Sequence, residues 1–189
     1  MAARTAGPSG WGTCLRTVCL HGPESTGKST LARRLADHFG AVMVPEFGRL
    51  YCEIFGNDCD LEDLRAIRRG HDLLAAAGRR KATNLLILDT DAVMTAVWAD
   101  VLLGTRPADL NAITDAADFY LLCDIDVPFK ADSIRYFPEH SARQTMFERT
   151  RAELESRHLP FAVIRGDGEA RLDAAVAAVT QRFPELVVQ

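Results

Sequence analysis

An α/β fold, with a parallel five-stranded sheet covered by helices on both faces, is predicted by three features of this 189-residue sequence. Short apolar runs alternate with helical periodicities along the chain, the order in which crossover helices build a parallel sheet. The runs are apolar at nearly every position, as strands buried on both faces require. The first run leads into Gly22-Pro23-Glu24-Ser25-Thr26-Gly27-Lys28-Ser29, which fits G-x-x-x-x-G-K-[ST] at every fixed position.

That spacing has a specific chemistry. Gly22 and Gly27 let the backbone turn tightly, so that successive N–H groups of Glu24, Ser25 and Thr26 face an anion. Lys28 is placed to neutralise the β- and γ-phosphates of ATP, the Ser29 hydroxyl to ligate Mg²⁺, and the helix opening at Gly27 and running through Thr30 to add its positive end. The flanks agree: Leu15 to Leu20 is β-prone, and Ser29 to Ala36 has apolar residues at helical spacing. A P-loop NTPase of the nucleoside and nucleotide kinase type follows as the expected fold.

Length and charge narrow the reading. A P-loop domain uses residues 14–189, leaving 1–13, rich in Ala, Gly, Ser and Thr, as an expected flexible tail. A net charge of −4 without a basic tract argues against a nucleic-acid partner. The apolar run after the tail is too short for a signal segment or membrane span, so a cytoplasmic location is expected. Five cysteines with no C-x-x-C pair suggest neither a disulfide framework nor a zinc site.

Ala41 to Val44 reads as the second strand, stopped by Pro45. Glu46 and Arg49 then stand just beyond a strand's carboxyl end, where open α/β sheets bind ligands. Tyr51 to Phe55 reads as helical, and Asp60 opens a long helix with an acidic first turn, whose Leu61, Leu64, Ile67, His71 and Leu74 share one face. His71 on that face reads as a packing residue. Leu85 to Leu88 forms a buried strand ending in Asp89, a carboxylate placed for a metal-linked role beside the P-loop Mg²⁺. Asp91 fits a helix cap as readily as a ligand group. Ala92 to Leu103 is helical and carries Trp98. Phe119 to Cys123 and Phe161 to Ile164 are the remaining strands, and Ser141 to Arg157 and Ala170 to Phe183 the remaining helices. Between them Phe129, Asp132, Arg135, Tyr136, Phe137 and Arg143 show poor periodicity, the composition of an arginine-bearing lid and equally of an ordinary loop.

No N-K-x-D guanine motif is present, and a motor ATPase usually needs more chain, which leaves a small-molecule kinase and a regulatory ATP-binding module. G-P-E-S-T-G-K-S-T (22–30), V-P-E-F-G-R (44–49), L-D-T-D (88–91) followed by Thr95 and Trp98, D-V-P-F-x-x-D-x-x-R (126–135) and G-D-G-x-x-R (166–171) together resemble the ribosylnicotinamide kinase domain of NadR-type NAD-salvage proteins. The resemblance runs from Leu15 to Phe183. It departs at Phe47, Phe129 and Ser133, where the family commonly has Tyr, Trp and Gly.

The resemblance implies phosphorylation of nicotinamide riboside to nicotinamide mononucleotide by ATP and Mg²⁺, with another nucleoside or nucleotide kinase as the runner-up. Glu46 would accept or orient the 5′-hydroxyl proton, Arg49 hold substrate or phosphoryl group, and Lys28, Arg135 and Arg143 spread the transferring charge. Gly166 and Arg171 fall in the nucleotide-binding part of the match. Asp91, Phe47, Trp98 and Phe129 would surround the cationic pyridinium of a small riboside. The adenylyltransferase domain that accompanies many family members does not fit in this length, so a separate adenylyltransferase is the partner such a kinase would call for.

Overall fold

The computed structural model describes residues 14–130 and 139–187. Five strands form one parallel sheet: β1 (Arg16–His21), β2 (Val42–Val44), β3 (Leu85–Asp89), β4 (Phe119–Cys123) and β5 (Phe161–Ile164), in the spatial order β2-β3-β1-β4-β5. β1 pairs directly with β3, Leu20 lying opposite Asp89, so the P-loop strand and the strand ending in the expected metal carboxylate are neighbours.

The strands are buried on both faces because helices cover both. On one side Val18, Leu20, Leu85, Ile87, Phe119 and Leu121 pack with Leu31, Ala32 and Leu35 of α1 (Lys28–Phe39) and Ala175 and Val179 of α7 (Gly168–Arg182). On the other, Cys19, Leu86, Leu88, Tyr120 and Leu122 pack with Ala75 of α3 (Leu61–Arg79), Val93 of α4 (Ala92–Leu103) and Phe147 and Leu154 of α6 (His140–Ser156). The alternation between the two sets follows the period of two along each strand.

Helix α3 starts on a capping box: the Asp60 side chain accepts from the Glu62 and Asp63 amides while the Asp63 side chain accepts from the Asp60 amide. α2 spans Phe47–Phe55, beginning a turn earlier than the Tyr51 start expected from the apolar spacing. Pro45 ends β2 and the chain turns at once into the helix, which makes Glu46 its N-cap residue. A short helix α5 (Ala108–Asn111) and a 3₁₀ turn over Pro184–Val187, neither expected from periodicity, complete the described chain. Among the described residues no helix is long and apolar enough to cross a membrane.

Candidate active site

The phosphate loop is held in shape from several sides. At Gly22 the backbone φ is 130°, and a Cβ there would fall 2.6 Å from the Cys123 carbonyl oxygen, so only glycine lets the loop pass over β4. The Thr26 hydroxyl, nearly inaccessible to solvent, donates to the Pro23 carbonyl at 2.9 Å. Lys28, which a solvent-facing role would leave outside the loop, instead donates to the carbonyl oxygens of Gly22 and Pro23 at 2.8 and 2.9 Å and is half-buried.

Arg171 braces the same loop. Its guanidinium donates to the Thr26 carbonyl at 2.7 Å, to the Gly166 carbonyl at 2.6 Å, to the Asp124 carbonyl at 3.3 Å and to the Asp126 carboxylate, and it is buried. Those contacts commit most of its donors to protein acceptors, so it holds the loop in place. Gly166 supports it, its own amide donating to Asp126 at 2.6 Å.

A cleft of about 430 Å³ opens along the carboxyl ends of β1, β2 and β3. Its floor is the phosphate loop with Glu24, Ser25, Thr26, Lys28, Ser29 and Thr30; its walls come from Glu46, Gly48, Arg49 and Cys52 of the α2 region, Leu64, Ile67 and His71 of α3, and Met94, Thr95, Trp98 and Leu102 of α4. The structure thus brings Glu46, Arg49, Asp89 and Trp98 to one cleft with the loop. A second cavity of about 280 Å³ lies on the other side of the loop, lined by Ser25 to Gly27, Thr30, Val127, Pro128, Gly168 and Arg171 among others.

The carboxylates of the main cleft are strongly conditioned. Burial pushes Asp89 up from its ordinary value, against a hydrogen bond from Ser29 and the charges of Lys28, Arg33 and Arg49. One of its oxygens, Oδ1, is buried with no hydrogen-bond partner among the described residues. A Ser hydroxyl beside a carboxylate with an uncommitted oxygen offers the hard oxygen donors that Mg²⁺ takes. Glu46, half-buried, is pushed up to about 7, chiefly by burial and by Asp89 and Glu24, while Lys28 and Arg49 pull it down. As N-cap residue it makes no side-chain capping bond, and its carboxylate faces the cleft instead.

Several expected contacts are placed differently. Asp91 is not on the cleft wall: its carboxylate accepts from the Val93 amide at 2.9 Å and the Tyr120 hydroxyl at 2.8 Å and lies 2.9 Å from His21 Nε2. Burial alone would raise it, yet His21, Tyr120 and the amide hold it below the usual carboxylate range. Asp91 is the α4 cap and the hub of a buried network, and its oxygens are spent there, not on a substrate cation. Phe47 likewise turns out of the cleft onto α3, where a Cβ on Gly70 would fall 2.1 Å from its ring. Phe129 sits under the Arg143 guanidinium, 5.7 Å from ring centre to Cζ, and lines neither cavity.

Arg143 is buried and reaches the Ser25 and Val127 carbonyls at 3.5 and 3.4 Å, so it is no surface charge. Arg135, with Asp132, Tyr136 and Phe137 of the expected lid, lies outside the described residues. Arg49 pairs with Glu53 at 3.0 Å one turn along α2 while lining the cleft.

The cleft also holds groups that sequence periodicity assigned to packing or not at all. His71 is buried and held down at about 4 by that burial, so it is neutral in the wall. Cys52 and Cys59 face each other with sulfurs 3.8 Å apart on the cleft rim. The face 64, 67, 71 was visible as an apolar stripe; that its outer edge borders a cavity depends on the α2–α3 packing, which no local pattern records.

A family model for the AAA domain matches residues 17–171. The trifunctional NAD biosynthesis/regulator protein NadR of Escherichia coli (strain K12) is 27% identical over 178 residues, covering 90% of this chain and 43% of that protein. NadR of Salmonella typhimurium (strain LT2) is 30% identical over 127 residues, 64% of this chain and 31% of its own length. The chain therefore spans less than half the length of these relatives. Among solved structures, a NadR protein in complex with NR superposes with a TM-score of 0.72 at 24% identity, covering 89% of this chain and 52% of that one. Deoxyadenosine kinase from M. mycoides superposes with a TM-score of 0.66 at 11% identity over 87% of this chain and 99% of its own. The fold is that of P-loop nucleoside and nucleotide kinases, and by the match over residues 17–171 the chain belongs to the AAA domain family.

Proposed function

We propose that this chain transfers the γ-phosphoryl group of ATP to the 5′-hydroxyl of nicotinamide riboside, giving nicotinamide mononucleotide for NAD salvage. The observation that carries the reading is one continuous cleft lined both by the phosphate loop and by apolar side chains, Trp98 among them, with Glu46 also on its wall. Similarity to the NadR proteins, one of them solved in complex with NR, supports the choice of riboside.

The chemistry is assigned to this chain's own groups. ATP lies with its phosphates in the loop and its base toward the second cavity, beyond Thr26 and Gly27. Lys28 exchanges its bonds to the Gly22 and Pro23 carbonyls for phosphate oxygens. Ser29 and Asp89 are the residues that would hold Mg²⁺, which supplies charge neutralisation at the phosphates. The riboside 5′-oxygen attacks the γ-phosphorus, its bond forming as the bond to the ADP oxygen breaks. Glu46 takes the hydroxyl proton, a task suited to a carboxylate that titrates near neutrality. Arg49 lines the cleft and offers a guanidinium for the charge in transit, while Arg143, buried against the Ser25 carbonyl, would have to leave that contact to do the same. The cleft sets three carboxylates, Glu24, Glu46 and Asp89, against three cations, Lys28, Arg33 and Arg49, so a pyridinium would be favoured by a carboxylate beside it and by the aromatic face of Trp98 rather than by the net charge of the cleft.

A deoxynucleoside kinase is the second reading, favoured by superposition on nearly the whole of deoxyadenosine kinase. Purified chain with ATP and Mg²⁺ is offered nicotinamide riboside, nicotinic acid riboside, deoxyadenosine, thymidine, uridine and thymidine monophosphate, and products are identified by mass. Preference for a pyridine riboside is the expected result. Preference for a deoxynucleoside or monophosphate replaces the substrate, and ATP hydrolysis without any phosphorylated acceptor points to a regulatory nucleotide-binding module.

A further inference from the structure

Helix α4 turns Met94, Thr95, Trp98 and Leu102 toward the main cleft. Thr95 is 2% exposed, and its hydroxyl has no hydrogen-bond partner among the described residues. A helical threonine ordinarily returns its hydroxyl to the carbonyl four residues back. Thr145 and Thr150 of α6 do so, at 3.0 and 2.8 Å to Ser141 and Met146. For Thr95 that carbonyl belongs to Asp91 and receives the Met94 amide at 3.2 Å instead.

Thr90, at the carboxyl end of β3, repeats the anomaly. It lines the same cleft, is 5% exposed, and its hydroxyl is also without a partner among the described residues. Its φ is 78°, a left-handed conformation that a β-branched residue adopts only under constraint. Strain of this kind concentrates where a group must be aimed. Both residues line the cleft while both hydroxyl oxygens are shut off from solvent as they stand, an arrangement unfavourable in the protein by itself; a turn about χ1 that brings either oxygen onto the cleft becomes favourable when a ligand supplies its partner.

The wall around Thr95 says which part of a ligand that is. Leu64, Ile67 and Leu102 are apolar, Trp98 is apolar and aromatic, and neutral His71 adds a polar edge. Resting on the reading of this cleft as the phosphoryl-acceptor site, we infer that Thr95 and Thr90 are the specificity-determining residues for the acceptor, pairing with the hydrogen-bonding substituent of a planar heterocycle and with the sugar that joins it to the reacting hydroxyl. A carboxamide-bearing ring fits that demand, since it both donates and accepts.

The test replaces each hydroxyl by a methyl of similar volume. Thr95→Val is expected to raise KM for nicotinamide riboside about tenfold or more, the range for losing one buried hydrogen bond to a ligand, with KM for ATP unchanged. The thermal midpoint of the ligand-free variant should hold or rise, because an unpartnered buried hydroxyl has been removed, and Thr95→Ser should restore the wild-type KM. A riboside of unsubstituted pyridine should be handled alike by wild type and Thr95→Val. Thr90→Val should raise acceptor KM for both ribosides. An unchanged acceptor KM, or a lowered midpoint with KM for ATP and acceptor rising together, would overturn the inference in favour of packing. If wild type prefers another nucleoside, nicotinamide riboside falls as substrate while the same variants, assayed on that nucleoside, still decide the role of the threonines. If no ring-bearing acceptor binds or is phosphorylated, both fall.

Discussion

The Lys28 ammonium donates a 2.8 Å hydrogen bond to the carbonyl oxygen of Gly22, the residue that opens its own phosphate loop. The contact crosses the loop and gives this lysine a structural duty beside its chemical one. Lys28→Ala is therefore expected to lower kcat/KM by at least the 10²–10³-fold typical of losing one preorganised donor, while costing about 1 kcal/mol of stability from the lost loop bonds. Paired turnover assays and denaturant titrations check both numbers. A variant that retains most of its turnover removes Lys28 from phosphoryl transfer.

Asp89 gives a cleaner separation of stability from activity. Burial raises its proton affinity, and Oδ1 finds no partner among the described residues, so the ionised group is costly where it stands. Asp89→Asn should leave thermal stability unchanged or raise it, and should move the Mg²⁺ dependence of activity to concentrations higher by tenfold or more. A magnesium titration that superposes on the wild type takes Asp89 out of the metal shell.

The strands and the phosphate loop were legible in the sequence because their determinants are local: runs such as Leu85 to Leu88 are apolar on both faces, and the loop needs its residue types at fixed spacing. Glu46, Arg49 and Asp89 were legible because strand ends locate them. What stayed hidden depends on side chains meeting across the fold. Asp91 reads as a cap or a ligand until Tyr120, 29 residues on, is seen to donate to it. Phe47 reads as a cleft aromatic until Gly70 opens a seat for it on α3. Thr95 reads as an ordinary helical residue, since whether its hydroxyl returns to the backbone is decided by the Asp91–Met94 geometry at the helix start.

Asp91 itself should be a stability residue. Replacing it by Ala removes the α4 cap and leaves the Tyr120 hydroxyl, in a residue with 0% exposure, without its acceptor. A cap is worth about 1 kcal/mol and an unsatisfied buried group about 1–3 kcal/mol, so a loss of roughly 2–4 kcal/mol is expected. Asp91→Asn, which keeps an oxygen for one donor, should lose less. Chemical denaturation of both variants measures the difference; a shift in acceptor KM at unchanged stability would return Asp91 to substrate binding.

Glu46 makes the pH dependence of stability and activity run in opposite directions. Its carboxyl is pushed up to about 7 in the folded chain from an ordinary value of 4.5. Between those values the folded protein keeps a proton that the unfolded chain has released, so its contribution to stability is lost as pH rises through the window and stays lost above it. A proton acceptor at the same position needs the ionised form, so kcat/KM should climb through a pH near 7 while stability declines. Glu46→Gln carries no titrating group: it should be more stable than wild type at pH 8, match it near pH 4, and show a flat kcat/KM lowered by about 10²–10⁴-fold, the usual worth of a general base. Thermal unfolding and initial rates across pH 4–9 supply both curves. If the rising limb of the rate profile survives in Glu46→Gln, another group takes the proton; if only the stability difference is missing, Glu46 is ionised across the whole range and the burial that surrounds it is offset by Lys28 and Arg49.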